Sequence, residues 1–522
     1  MTPGELIVAL RKLDVQAIVD DGELKLRGPA GFLTPALKQA IAQHRVELRR
    51  LLQTPAPPRI ANPNSANTWV ELSPSQRQLW YEQQVHPGAS HYNVPIVLQL
   101  EAPANDKATQ QTLRWVLQRH AGLRARFQVR ADRPIMLVEP QPPTFVLPMV
   151  DLPHGASDLL LQSAILDFIR RPFQLDKDTP FRACLMRRGK QDSVLVICLH
   201  HIVADGWSMG ILLHDFEESY TPFSRGKPLE LTVAALNNNQ YSSGHSLLSP
   251  ELLAKARLML QGVPDLYLSS GFKRPETFSH RGGLCTAQLA RTELNELSVV
   301  AQSCGTTLFS VFSACFMMLL SYESSQRKFT VGTDVAGREE PGFEEVVGHF
   351  VNQIVMVADF SGDSSLKEII NRAASAFLQA HALREIPFDV LAKATREDRA
   401  ADTPLFRAKI VMQPPMPNAL AKLPGIELLN IHDGSCKFDL LLNAWLIDDG
   451  AGLAIEYSRD LFSDATGQRF MQHLLRLLQI MREKNLSLKF CEIEEQLLHA
   501  ECAPSRKPRS FAEARSKIST AR

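Results

Sequence analysis

The clearest change of hydrophobic period in the chain falls near residue 200. The run Ser193-Val194-Leu195-Val196-Ile197-Cys198-Leu199 is almost continuously apolar and rich in β-branched residues, the signature of a buried strand. Met209, Leu212, Leu213 and Phe216 then recur at helical spacing, which predicts a helix beginning near Trp207 and Ser208. Between the two lie His200, His201, Ile202, Val203, Ala204, Asp205 and Gly206. Successive strand residues point to opposite faces, so the two imidazoles have different surroundings. One faces a cavity and the other the packing beneath it.

Similar alternation runs through the rest of the chain. Glu71 to Trp80 reads as a capped helix start and Val94 to Leu100 as a strand, followed by a helical stripe of Leu113, Val116, Leu117, His120 and Leu123 and a strand near Phe127. Residues 221–280 are loop-rich and weakly patterned, and mark a boundary between lobes. Beyond them, Leu308 to Leu320 predicts an apolar helix and Phe329 to Gly332 a strand end. Ser365 with Glu368 fits a capping box ahead of a helix carrying Ile369, Ile370, Ala373 and Phe377. Strands are expected at Phe406 to Met412, Leu440 to Ile447 and Leu453 to Tyr457, and a helix at Met471 to Met481. The second half thus repeats the alternation of the first, which predicts a mixed α/β body of two similar-sized lobes.

The first 53 residues read as a separate unit. Leu6, Leu10 and Leu13 mark a short helix. Asp20-Asp21-Gly22 is a turn between two β-prone segments, and a second helix opens at Thr34 and Pro35. In the second strand Leu24 and Leu26 share one face while Lys25 and Arg27 share the other. Such a hairpin is either a structural appendage or a site where another chain docks by strand addition. Residues 54–68, with four prolines, form a stiff spacer. Lobes are expected at 69–240 and 241–502, and the basic tail 503–522 is expected to be disordered.

At 522 residues the chain has room for about three domains of ~150 residues each. Charged residues make up 22% and the formal net charge is +1, so nothing in the charge favours a nucleic acid or an acidic membrane. Eight scattered cysteines show no CxxC pair, and no apolar run is long enough to span a bilayer. A reduced, cytoplasmic protein is expected.

Histidine suits proton transfer near neutral pH. No GxSxG elbow accompanies His201 and no cysteine is placed as a nucleophile. Adjacent histidines on opposite strand faces chelate one ion poorly, so no metal is expected. An imidazole without a protein nucleophile fits direct transfer between two bound substrates. A satisfied core histidine is the plain structural alternative. Asp205, in a tight turn between apolar elements, needs a cation or several donors, and reads as a loop-holding group with a distant arginine as partner. Gly206 reads as a position of positive φ or close approach, and Trp207 as a packing residue.

HHIVADG at 200–206, extended by Trp207 and Ser208, resembles the signature of the condensation domains of nonribosomal peptide synthetases, in the chloramphenicol acetyltransferase superfamily. LSPSQRQLW at 72–80, HYNVP at 91–95, RHAGLRARF at 119–127, VVGHFVNQ at 346–353, IPFDVL at 386–391, TPLFR at 403–407, KFDLLL at 437–442 and YSRDLF at 457–462 resemble the family's further segments in order. The resemblance implies two acetyltransferase-like lobes in a V around a central tunnel. It implies a donor acyl, polyketidyl or peptidyl group on the phosphopantetheine arm of a carrier protein, with no cofactor bound by the chain itself. His201 would orient the acceptor nucleophile or take its proton. His200, Asp205 and Gly206 would be structural, with Arg338 as the cation for Asp205. Trp207, Ser208, Gly348 and Asn352 would line or brace the tunnel.

Residues 1–53 resemble the β-hairpin docking domains at the N-termini of such proteins. Leu24, Lys25, Leu26 and Arg27 would then receive the C-terminal segment of an upstream carrier protein. Two departures stand out. Ala121 replaces a family glutamate, and the aromatic and acidic fourth motif is not recognisable near 225–245. Together with the missing adenylation and carrier domains, they predict a free-standing monomeric enzyme that forms an amide or ester. Its acceptor would be a diffusible small molecule or be held on a second carrier. An epimerisation domain and an inactive docking platform are the alternatives.

Overall fold

A computed structural model of the protein describes residues 68–500, apart from 102–104, 140–144, 154, 190–191, 230–248, 270, 339–341, 396–403, 414–419, 421–422 and 424. It also describes 16–20, 23–27 and positions 41 and 44. Strands β1 (Gln16–Asp20) and β2 (Glu23–Arg27) pair antiparallel, with Ile18 opposite Lys25 and Val19 opposite Leu24. The helices expected around this hairpin, residues 54–67 of the expected 54–68 spacer, the 240/241 boundary and the 503–522 tail lie outside the described residues, and Thr68 already belongs to a strand.

In the first half, β3 (Thr68–Glu71), β5 (Ala125–Arg130) and β6 (Arg133–Val138) make a three-stranded sheet, and β4 (Asn93–Glu101) belongs to another. Ala131 and Asp132, both at positive φ, form the two-residue turn between β5 and β6. The larger sheet also contains β7 (Met149–Asp151), β8 (Phe181–Arg187) and β9 (Asp192–His200). Strand β9 lies at its centre, antiparallel to β4 on one side and β8 on the other. From Ser193 to His200 every residue of β9 is buried, as the unbroken apolar run requires.

Helix α1 (Pro74–Val85) starts at a capping box in which Ser73 and Gln76 bond each other's main-chain N–H. Helix α2 (Asp106–Arg119) stops at His120, and the expected stripe continues into a 3-10 turn that carries Leu123. Helix α3 (Asp158–Ile169) has no counterpart in the sequence reading; its apolar residues spread around the helix instead of forming a stripe. Helix α4 (Gly206–Ser224) follows β9 and packs on α2.

The second half holds β10 (Gly282–Ala290), β11 (Lys328–Val335), β12 (Asn352–Asp359), β13 (Ala408–Met412), β14 (Ile426–Leu429), β15 (Leu440–Ile447) and β16 (Gly450–Ser458). Six form one sheet in the order β10-β16-β15-β13-β11-β12, with β13 parallel to both neighbours. Helix α5 (Leu308–Ser324) has an uninterrupted buried stretch from Ser310 to Ser321. Among the described residues no single helix is long and apolar enough to cross a membrane. Each half has its own large core.

The halves are tied by a strand exchange that the sequence reading did not include. Strand β14, from the second half, pairs with β4 and becomes an edge of the first half's sheet, in the order β14-β4-β9-β8-β7. Leu420 and Leu423, just before it, are buried in the first half's core.

Candidate active site

His200 closes β9 opposite Asn93 of β4. Its Nδ1 accepts the Ile202 N–H at 3.1 Å, which places the ring proton on Nε2, 3.2 Å from Gln83 Oε1 on α1. Burial holds this imidazole neutral, with its pKa down to about 3, and the charges of Lys437, His349 and Arg182 act in the same direction.

His201 turns the other way. Its main-chain N–H donates to the Tyr92 carbonyl at 2.8 Å, and the residue is half-buried. The ring meets His349 edge to face, with centroids 5.0 Å apart and planes at 89°, and also faces Tyr92. Burial, then Lys437, then His349 hold its pKa well below the usual histidine value. The imidazole is therefore unprotonated at neutral pH and able to accept a proton.

Asp205 caps α4, where its Oδ1 accepts both the main-chain N–H and the hydroxyl of Ser208 at 2.8 Å. The same carboxylate takes Arg338 Nη2 at 3.0 and 3.2 Å and the Phe350 N–H at 3.2 Å. Arg338 Nη1 donates to the Phe343 and Val346 carbonyls at 2.6 Å, and Nη2 to the Gly348 carbonyl at 3.3 Å. Ser208 Oγ accepts the Gly348 N–H at 3.1 Å and lies 2.9 Å from the Gly348 carbonyl oxygen. A buried carboxylate and a buried guanidinium, one from each half, thus satisfy each other and the loop at 343–350.

Two expected site residues, Gly206 and Trp207, behave differently from the sequence reading. Gly206 does not adopt positive φ; it is simply the first residue of α4. Trp207 is 38% exposed and is not a packing residue; its indole N–H donates to the Glu344 carbonyl across the lobes at 2.9 Å. Asn352 braces the second half from within, its Nδ2 donating to the Arg384 and Ile386 carbonyls and its Oδ1 accepting from Phe388.

The structure also adds residues that sequence reasoning did not single out. Gln83 carried no signal. Tyr92, His349 and Lys437 sat inside segments already noted for their resemblance, but only their convergence shows their place. Lys437 Nζ lies over the Tyr92 ring, 5.1 Å from its centroid, and burial pushes its pKa down. His120 bonds Asp215 of α4 at 2.6 Å, which gives the RHAGLRARF segment a structural duty.

Glu82, His91 and His280 bring donor atoms within 4.8 Å of one another beside a cavity of about 580 Å³. The two imidazoles stack at 3.7 Å with planes 11° apart. Their in-plane lone pairs therefore run side by side instead of meeting at one ion, and the set does not form a chelate.

The condensation domain family matches residues 66–489, and the TubC N-terminal docking domain matches residues 4–53. Chondramide synthase cmdD of Chondromyces crocatus is 30% identical over 425 residues, 79% of this chain and 11% of that protein. Malpinin synthetase of Mortierella alpina is 29% identical over 430 residues, 80% of this chain and 6% of that protein. The chain thus spans only a small part of the length of these relatives. The cyclization-docking bidomain of EpoB from Sorangium cellulosum superposes with a TM-score of 0.71 at 17% identity, covering 93% of this chain and 100% of that one. The first condensation domain of the calcium-dependent antibiotic synthetase, in complex with a substrate analogue, gives a TM-score of 0.68 at 18% identity, covering 81% and 99%. At those identities the two structures establish the fold. The chain belongs to the condensation-domain family of nonribosomal peptide synthesis, with an N-terminal docking domain, and acyl or peptidyl transfer that forms an amide or ester is the chemistry characteristic of that family.

Proposed function

We propose that this chain moves an acyl, polyketidyl or peptidyl group from the phosphopantetheine thioester of a carrier protein onto an amine or hydroxyl acceptor. The observation that carries the reading is the unprotonated imidazole of the half-buried His201 at the junction of two lobes clamped by Asp205 and Arg338. In this reading the acceptor's lone pair attacks the thioester carbon while His201 orients the nucleophile and takes its proton. Collapse of the tetrahedral species expels the pantetheine thiolate, which receives that proton. No covalent enzyme intermediate is needed. His200, Asp205, Ser208 and Arg338 hold the geometry, Gly348 anchors the loop opposite, and Asn352 ties the start of β12 to residues 384–388.

The docking hairpin receives the C-terminal segment of an upstream carrier protein along β2, and a tether of that kind raises the local concentration of the donor. The enzyme works as a monomer in the cytoplasm. Its acceptor is a diffusible amine or alcohol, in keeping with the unrecognisable fourth motif. The test is to mix the protein with an acyl-loaded carrier and a panel of soluble amines and alcohols, and to follow product mass with and without His201→Ala. A product that disappears in the variant supports the reading and names the bond. An altered α-carbon on an intact thioester would replace it with epimerisation, and stable docking without turnover would replace it with a platform role.

A further inference from the structure

His349 is placed with more care than a core residue requires. Its neighbours on both sides are pinned to the HHIVADGWS segment: the Gly348 N–H to Ser208 Oγ, and the Phe350 N–H to Asp205 Oδ2. The side chain between those anchors meets His201 edge to face, 5.0 Å from centroid to centroid. It is only 8% exposed, and its Nδ1 is sealed from solvent without a hydrogen-bond partner among the described residues. An apolar residue would fill the same space without leaving a polar atom unmet, so packing alone does not account for a histidine here.

We propose that His349 is a second catalytic imidazole, donating an N–H hydrogen bond to the thioester carbonyl oxygen as negative charge develops on it. The inference rests on the acyl-transfer reading given above. A bare lone pair is easier to leave unmet in the interior than an N–H, so the proton belongs on Nε2 and Nδ1 is the sealed acceptor. Nε2 is then the nitrogen through which the ring reaches a substrate. Among the described residues His201 Nδ1 likewise has no hydrogen-bond partner, so neither ring is locked by a protein group on that side.

Attack forms the bond from nucleophile to carbon and moves the carbonyl π pair onto oxygen. His349 hydrogen-bonds that oxygen without giving up its proton. Collapse restores the carbonyl, breaks the C–S bond and sends the nucleophile's proton, held by His201, to the departing thiolate. Burial keeps His349 neutral, with its pKa at about 4. A neutral imidazole suits this task, because a donor that keeps its proton stabilises the oxyanion without competing with the base.

The experiment compares His349→Phe, His349→Ala and His349→Gln with wild type and His201→Ala. The donor is a short fatty acyl group loaded on a carrier protein, and the acceptor is whichever soluble amine or alcohol the wild type uses best. Thermal melting checks folding, and pH profiles accompany kcat and KM. The expected result is a loss of about 100-fold in kcat for Phe and Ala at little-changed KM. Partial recovery with Gln, whose amide N–H replaces the donor, and an unmoved acidic limb of the profile complete the expectation. A folded His349→Phe variant with wild-type kcat would overturn the inference, as would loss of the pH limb with His349, which would make it the base. Wild type that transfers to no acceptor overturns the acyl-transfer reading itself, an outcome distinct from either.

Discussion

Arg338 Nη2 and Asp205 Oδ1 meet at 3.0 Å from opposite halves of the chain, and both side chains are almost wholly buried. The pair has several further partners, so each charge is compensated only while the other is present. Arg338→Ala leaves a bare carboxylate at the start of α4 and is expected to cost about 3–5 kcal/mol of stability. Arg338→Lys cannot reproduce the divided guanidinium contacts to three carbonyls and should recover little. Chemical denaturation of the two variants, alongside acyl transfer, measures both effects; an Arg338→Ala variant as stable as wild type would contradict the clamp.

The buried imidazoles make stability depend on pH. His91 and His200 are held near 3, and His349 near 4, against an unfolded value of 6.5. Between those values the unfolded chain binds protons that the folded chain refuses, so stability rises with pH and is lost as pH falls below about 6.5. Melting temperature should be flat above pH 7.5 and fall steadily toward pH 5. Replacing His200 and His349 with glutamine should flatten the slope. A melting temperature unchanged from pH 7.5 to 5 would show that these rings are not held neutral.

His200 acts on its neighbour through position. Its two ring nitrogens fasten the main chain at Ile202 and the Gln83 side chain. His200→Ala should lower stability by about 1–3 kcal/mol, through unmet partners, and reduce kcat by displacing His201. Gln83→Ala should show a smaller loss in both, since it removes one of the two bonds. Wild-type turnover in His200→Ala would show that His201 needs no such support.

On the hairpin, Lys25→Glu combined with Arg27→Glu should weaken capture of a carrier protein that bears an acidic C-terminal segment. The expected signature is a higher KM for the carrier, steeper at low salt, with kcat at saturation preserved. A kcat loss at saturating carrier would place these side chains in a different role.

Local signals carried a good share of this fold. The apolar run of β9, the capped start near Ser73 and the Ser365–Glu368 box each report on a few neighbouring residues, and each element appears where its pattern predicts, whereas the N-cap role of Asp205 shows only in the structure. Contacts across the chain were less readable. Helix α3 spreads apolar side chains around its circumference, so no stripe marks it. Trp207 reads as apolar until Glu344, 137 residues later, supplies an acceptor for its N–H. His349 lies within the VVGHFVNQ segment, but nothing local says that its ring stands against His201. Strand β14 is a short run of ordinary β-formers whose partner, β4, lies in the other half.

That exchanged strand bears on how the protein is made. The ribosome releases β4, β8 and β9 long before Ile426–Leu429 emerges, so the first half's sheet must wait with the outer edge of β4 bare. A strand edge open for most of synthesis is a template for the wrong neighbour. The nascent chain is thus most vulnerable to aggregation in the interval that ends when Leu429 takes its place beside Val97.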